Sequence, residues 1–287
     1  MDFFLSSDLY YSDRNMDGQK AQESFSESLV LFDSLGFCFP HTWLDGISVQ
    51  DMVDRQSSYY SLLKQQISPQ EASTRDQLIL IKLVESRRLN EIRILLCPQH
   101  LPKFHPSFDS VLAGILDIDT TWRLVLVSAE RKGQWRRTLE RRWLASFGNG
   151  TSLLRQVVWL NSLSPNDYLV MLAVGDVMVD PFPFGGGVTS LEAFSVRTPV
   201  LTLPVLQTVP ALTAGMLRST ENTLLCDILI QSTVEAYVKT AVGLLRNSSH
   251  LASVRKELNF NEITLKGMGT SNILEWEWFL KRIMTTV

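Results

Sequence analysis

From Glu91 onward the chain alternates short runs of leucine and β-branched residues with longer amphipathic segments, and no other feature restricts its fold as much. Such short, nearly continuous apolar runs suit strands covered on both faces. Strands are expected over 92–97, 122–128, 156–160, 176–180 and 199–203. Between them the periodicity predicts helices over 107–116, 134–147, 165–173 and 189–196, with another around 211–218. The stretch 224–229 reads as a last short strand, and helices follow over roughly 233–246, 250–259 and 271–284. This repetition implies an α/β fold with a parallel, doubly wound sheet. Ligands of such sheets bind at the carboxyl ends of the strands.

The first ninety residues are more polar and less regular. Asp13, Arg14, Asn15, Asp17 and Gly18 fall within a loop-like stretch, and 22–33 is expected to hold a strand. A helix is predicted over 51–66, stopped by Ser68-Pro69, and a second over 77–89. This part alone does not supply a complete sheet. The chain therefore divides into 1–90, 91–265 and a terminal helix in 266–287.

Charge and cysteine usage exclude several classes of function. Thirty acidic against twenty-seven basic residues give a net charge of −3, no footprint for nucleic acid or an anionic membrane. Arg131, Lys132, Arg136, Arg137, Arg141 and Arg142 cluster in one helix, but Glu130 and Glu140 lie among them and the reading is a solvated face. Cys38, Cys97 and Cys226 are widely spaced and fit reduced, buried thiols of an intracellular protein. The amino terminus lacks a basic segment leading into an apolar one, and no apolar stretch is long enough to span a bilayer. A soluble, cytoplasmic protein is expected.

The most informative stretch runs from Asp180 through Gly185, Gly186 and Gly187 to Val188, Thr189 and Glu192. Three glycines just before a helix let backbone N–H groups approach a phosphate, and the helix dipole adds to the attraction. The spacing matches neither a dinucleotide fingerprint nor a Walker loop. The same residues allow a plainer account, in which Thr189-x-x-Glu192 is a capping box. Upstream, Lys103 sits between His100 and His105 just past the first strand of this part. With prolines between the histidines and only Asp109 as an acidic neighbour, a metal site is not expected. Asp176 and Asp180 are too far apart to form an Asp-x-Asp metal pair.

The segment 180–204 resembles the donor-binding stretch of the O-linked N-acetylglucosamine transferase family, including its SPINDLY-like, bacterial and algal relatives. The matching residues are Asp180, Gly186, Thr189, Glu192, Thr198, Pro199, Val200, Thr202 and Leu203. The opening residues 2–8 and the stretch 22–29 are similar to the close of the family's acceptor-side domain. The resemblance implies a GT-B fold, with a Rossmann-like donor domain and a partial facing domain. It implies transfer of a sugar, N-acetylglucosamine in the family, from UDP to a protein Ser or Thr hydroxyl. The nucleotide sugar is a co-substrate, and no cofactor or metal is implied.

Carried over residue by residue, Lys103 pairs with the diphosphate and assists UDP departure. Gly185, Gly186, Gly187, Val188 and Thr189 cradle the diphosphate, Glu192 contacts the ribose hydroxyls, and Tyr168 lies against the base. Tyr168 equally suits an inward-packed core position. The chain departs from the family at Gly187, where a histidine is usual, and near Ala211, where relatives carry an arginine. The family's acceptor-side domain begins far upstream, and its candidate base sits there. An upstream segment or a partner chain completing the cleft is thus implied, and the 287 residues alone are expected to bind donor but transfer poorly. A UDP-sugar-binding protein without transferase activity and a nucleotide-sugar epimerase on the same fold are the alternatives.

Overall fold

The computed structural model describes residues 3–11, 22–23, 25–37, 46–67, 74–128, 133–204, 211–260, 263 and 269–286. Cys38, Ser68-Pro69, Arg131, Lys132 and the loop around Asp13 lie outside them.

Two parallel sheets are present among the described residues. The smaller joins β1 (Phe3–Ser7) to β2 (Ser28–Phe32) in register Phe3 to Ser28. The larger contains β3 (Ile94–Leu96), β4 (Arg123–Val127), β5 (Val157–Leu160), β6 (Val177–Val179) and β7 (Val200–Leu201). Its order is β5-β4-β3-β6-β7, and every pairing is parallel. The chain winds outward from β3 to β5, returns to place β6 on the other side of β3, and winds outward again. The carboxyl ends of β3 and β6 therefore frame a topological switch point.

Both faces of this sheet are covered, so its strands are fully buried apolar runs from Leu95 and Leu96 through Leu124–Leu126 to Val177–Val179. Proline at the first turn and a polar cap start two of the crossover helices. His105 Nδ1 accepts from Ser107 N ahead of Pro106–Leu116, and Ser164 Oγ accepts from Asp167 N ahead of Pro165–Val174. Pro106–Leu116 packs with Val234–Arg246, whereas Pro165–Val174 packs with Val188–Ser195 and with the helices Ser57–Gln66 and Thr74–Arg88.

Three elements differ from expectation. The helix predicted over 51–66 is two, Val49–Asp54 and Ser57–Gln66, because Arg55 adopts a left-handed conformation at φ 45°. Its guanidinium is drawn inward to Gly175 O and Thr198 Oγ1, which turns the chain there. The apolar run 224–229 is helical, Thr223–Leu229, started by Asn222 Oδ1 accepting from Leu225 N. The strand in 22–33 is confined to Ser28–Phe32. A further short helix, Ser152–Gln156, precedes β5.

Arg142 is not on a solvated face. It pairs with buried Asp109 at 2.6 Å and donates to Phe104 O at 2.7 Å, tying Gln134–Phe147 to the segment that carries Lys103.

The amino-terminal ends of β3 and β6 are held by one buried carboxylate. Asp176 accepts from Arg87 Nε and Nη2, the latter at 2.7 Å, and from Ile94 N at 2.8 Å. Burial alone would raise its pKa. Arg87, Arg255 and the Ile94 N–H outweigh that and hold the carboxyl below the usual range. Asp176→Asn is expected to cost about 3–5 kcal/mol in urea unfolding at neutral pH, because two buried guanidiniums lose their counter-charge. A carboxyl with a depressed folded pKa contributes stability above its unfolded pKa and loses it as pH falls through the folded value. The gap between wild type and Asp176→Asn should therefore narrow on acidification.

Candidate functional site

At the switch point a buried carboxylate organises the glycine-rich turn. Asp180 follows β6 and is 2% exposed. Its Oδ1 accepts from Gly186 N and its Oδ2 from Thr202 Oγ1 at 2.9 Å. Burial pushes this carboxyl up, against the pull of Gly186 N, Thr213, Thr202 and Lys103. The Tyr237 hydroxyl lies 3.0 Å from Asp180 O and 2.9 Å from Leu201 O, securing the backbone behind the turn.

The glycines are required by close approach. A Cβ on Gly185 would collide with the Asp180 carboxylate. One on Gly186 would come within 2.6 Å of both Gln99 Nε2 and Ser190 Oγ, and within 2.9 Å of Thr189 Oγ1. The helix Val188–Ser195 then begins at Gly187 with no side-chain cap. The capping-box account of Thr189 and Glu192 is thus overturned. The helix starts two residues earlier than that account requires, so Thr189 sits within the first turn and its Oγ1 accepts from Gln99 Nε2 at 2.5 Å.

Lys103 approaches from the neighbouring strand. It ends a single 3-10 turn, Leu101–Lys103, and its Nζ donates to Gly185 O at 2.8 Å and Gln99 Oε1 at 3.0 Å. The ammonium also lies over the Phe184 ring, 4.6 Å from its centroid. Partial burial lowers the Lys103 pKa, with Asp180 and Cys97 acting in the opposite sense. Gln99, 2% exposed, is the residue that sequence reasoning passed over: it links Lys103 to Thr189. Its signal in the sequence is its place three residues past the end of β3, at the switch point.

Glu192 and Tyr168 complete the neighbourhood. The Glu192 carboxylate is half-buried and has no hydrogen-bond partner among the described residues, and burial raises its pKa. The Tyr168 phenol is raised by burial and then by the Glu192 charge, which places the two near one another. Tyr168 packs against the core, and its hydroxyl is buried and unpartnered among the described residues. Beside Gln99 a cavity of about 250 Å³ opens at the ends of β3 and β4, lined by His100, Leu101, Ser128 and Trp135 among others. Val188 is exposed at the first helical position.

His105 is occupied as a helix cap, and among the described residues no three His, Cys, Asp or Glu side chains gather as a metal cluster. No described helix is long and apolar enough to cross a membrane.

This chain, a doubly wound parallel sheet with a glycine-rich turn at its switch point, has the fold of a GT-B glycosyltransferase domain, as its likeness to solved structures shows. Among solved structures, the chain is similar to a mutant O-GlcNAc transferase from Thermobaculum terrenum, with a TM-score of 0.68 and 21% identity. That match covers 97% of this chain and 44% of the other. It is also similar to sucrose-phosphate synthase from Thermosynechococcus elongatus, with a TM-score of 0.55 and 11% identity over 99% of this chain and 59% of that one. The chain thus spans less than two thirds of either. No protein-family model and no curated protein matches the sequence.

Gly186→Ala is expected to destabilise the fold by about 1–3 kcal/mol in urea unfolding, because the added methyl meets three packed polar atoms. Gly243→Ala is the control. It lies within the helix Val234–Arg246 with open space around it, so a gain of about 0.5–1 kcal/mol is expected.

Proposed function

We propose that the chain binds a UDP-sugar at this switch point and transfers the sugar, N-acetylglucosamine or a related one, to a Ser or Thr hydroxyl of a protein acceptor. The observation that carries the reading is the meeting of the Lys103 ammonium with an uncapped helix N-terminus at the end of β6. Both favour the same ligand charge. Backbone N–H groups at the start of the helix and the cation of Lys103 suit a diphosphate, and a glycine turn keeps side chains out of its way.

The chemistry follows from that charge. As the bond between the anomeric carbon and the diphosphate oxygen breaks, negative charge grows on departing UDP, and fixed donors stabilise it most at that moment. Lys103 is already desolvated in part, so its interaction with the leaving group is stronger than at a bare surface. Glu192, without a hydrogen-bond partner among the described residues and one turn into the helix, accepts from the two ribose hydroxyls. Tyr168 borders the base end. The acceptor's oxygen attacks from the side facing the other domain, where its proton must be removed.

UDP should raise the melting temperature, since a ligand selective for the folded state stabilises it by mass action. In titration calorimetry, Glu192→Gln should weaken UDP about tenfold, the scale of one charge-assisted hydrogen bond, while unfolding barely shifts. Lys103→Ala should weaken UDP far more than uridine, because only the former carries the diphosphate. Absence of UDP binding at millimolar concentration overturns the reading. Incorporation of labelled sugar from UDP-N-acetylglucosamine into protein, lost in Lys103→Ala, is the expected sign of transfer. Binding without incorporation would leave a nucleotide-sugar-binding protein.

A further inference from the structure

At the end of the sheet opposite the glycine-rich turn, five arginines converge on a cavity of about 220 Å³: Arg55, Arg87, Arg88, Arg93 and Arg255. The acids there do not balance them. Asp176 is engaged bidentately by Arg87 and lies 3.5 Å from Arg255. Arg88 is paired with Glu85 at 2.8 Å, and Asp54 at the rim accepts from Gln50.

Arg55 and Arg93 have no acidic partner among the described residues. Arg55 donates to Met52 O, Gly175 O and Thr198 Oγ1, whereas Arg93 donates to Leu245 O, Asn90 Oδ1 and Ser248 Oγ. Neutral acceptors satisfy hydrogen bonds without cancelling charge.

Arg255 shows the imbalance most clearly. It is 3% exposed, it lines the cavity, and its Nε–H has no acceptor among the described residues. A buried donor left without an acceptor is costly, and a charged one more so. Burial, with repulsion from Arg55, pulls this guanidinium down to about 9 in spite of Asp176. An anion in the cavity would supply both the acceptor and the missing charge.

We propose that this cavity is a binding site for a phosphate-sized oxyanion, separate from the nucleotide-sugar site. The fork geometry of guanidinium suits a tetrahedral oxyanion, which can accept from several arginines at once. The two sites lie at opposite ends of β6, which Asp176 and Asp180 bracket.

Inorganic phosphate is the probe. Titrated into the whole chain at constant ionic strength and followed by calorimetry and phosphorus NMR, it should bind saturably at a site that Lys103→Ala leaves intact, and raise the melting temperature. Arg93→Gln, at the half-exposed rim, should weaken phosphate about tenfold, the scale of one charge-assisted contact. Lys103→Ala should leave phosphate affinity unchanged, which separates this site from the glycine-rich turn. Arg255→Met should abolish binding, and should it fail to fold, Arg93→Gln carries the test alone. No saturable binding to the wild-type chain, or binding that Arg93→Gln leaves intact, overturns the proposal.

Discussion

Burying an ionisable carboxylate at the end of a central strand is expensive, and the architecture around Asp180 answers that cost. Its two oxygens draw in a backbone N–H of the glycine turn and the hydroxyl of Thr202 beyond β7, with Thr213 of the helix Leu212–Arg218 also contributing. Three separate pieces of chain are thereby tied to one side chain. The turn lies so close to that side chain that a Cβ at 185 would collide with it, while one at 186 would meet Gln99, Ser190 and Thr189 instead. The glycines therefore answer a steric demand inside the protein as well as leaving room outside it. The helix start that remains open beyond them is a by-product of how Asp180 is satisfied.

The two acids that bracket β6 meet opposite fates. Asp176, surrounded by guanidiniums, is held ionised, whereas Asp180, surrounded mostly by neutral donors, is pushed upward by burial. One three-residue strand thus carries an electrostatic contrast along its length. Cationic groups crowd its beginning, and its end faces a single lysine. The sheet separates two chemically distinct surfaces without any change in the strand itself.

The larger sheet was legible because strands buried on both faces must be written as apolar runs, as at Val177–Val179 and Leu124–Leu126. The same logic misassigned Thr223–Leu229, since a short apolar run bounded by polar residues fits a buried helix equally well. Within the site, the three glycines stand out by their place between a strand and a helix, whereas Lys103 and Glu192 are singled out by the family resemblance; the structure sets Lys103 against Gly185 O and Glu192 on the helix that follows. Gln99 did not stand out, because a bridging amide has no sequence signature. Thr189 and Glu192 have capping-box spacing, yet backbone approach to Asp180 sets the helix start at Gly187 and removes that role. Long-range pairs such as Arg142 with Asp109, or Arg87 with Asp176, leave no periodic trace.

The helix Leu212–Arg218 has a face toward each part of the molecule. On one side Thr213 meets Ser190 at 2.8 Å, within hydrogen-bond reach of Gly186 O. On the other, Gly215 lies flat against the Tyr10 ring, the Tyr10 hydroxyl donates to Leu35 O, and Arg218 donates to Leu9 O. Seven residues of helix are about 10 Å of stiff rod. A rod gripped at both ends joins what it touches: Arg218 holds Leu9 O at one end and Thr213 reaches Gly186 O at the other. The described opening segment 3–11 and the glycine-rich turn thus rest on the same short helix, with Tyr10 packed on one side of it and Gly186 on the other.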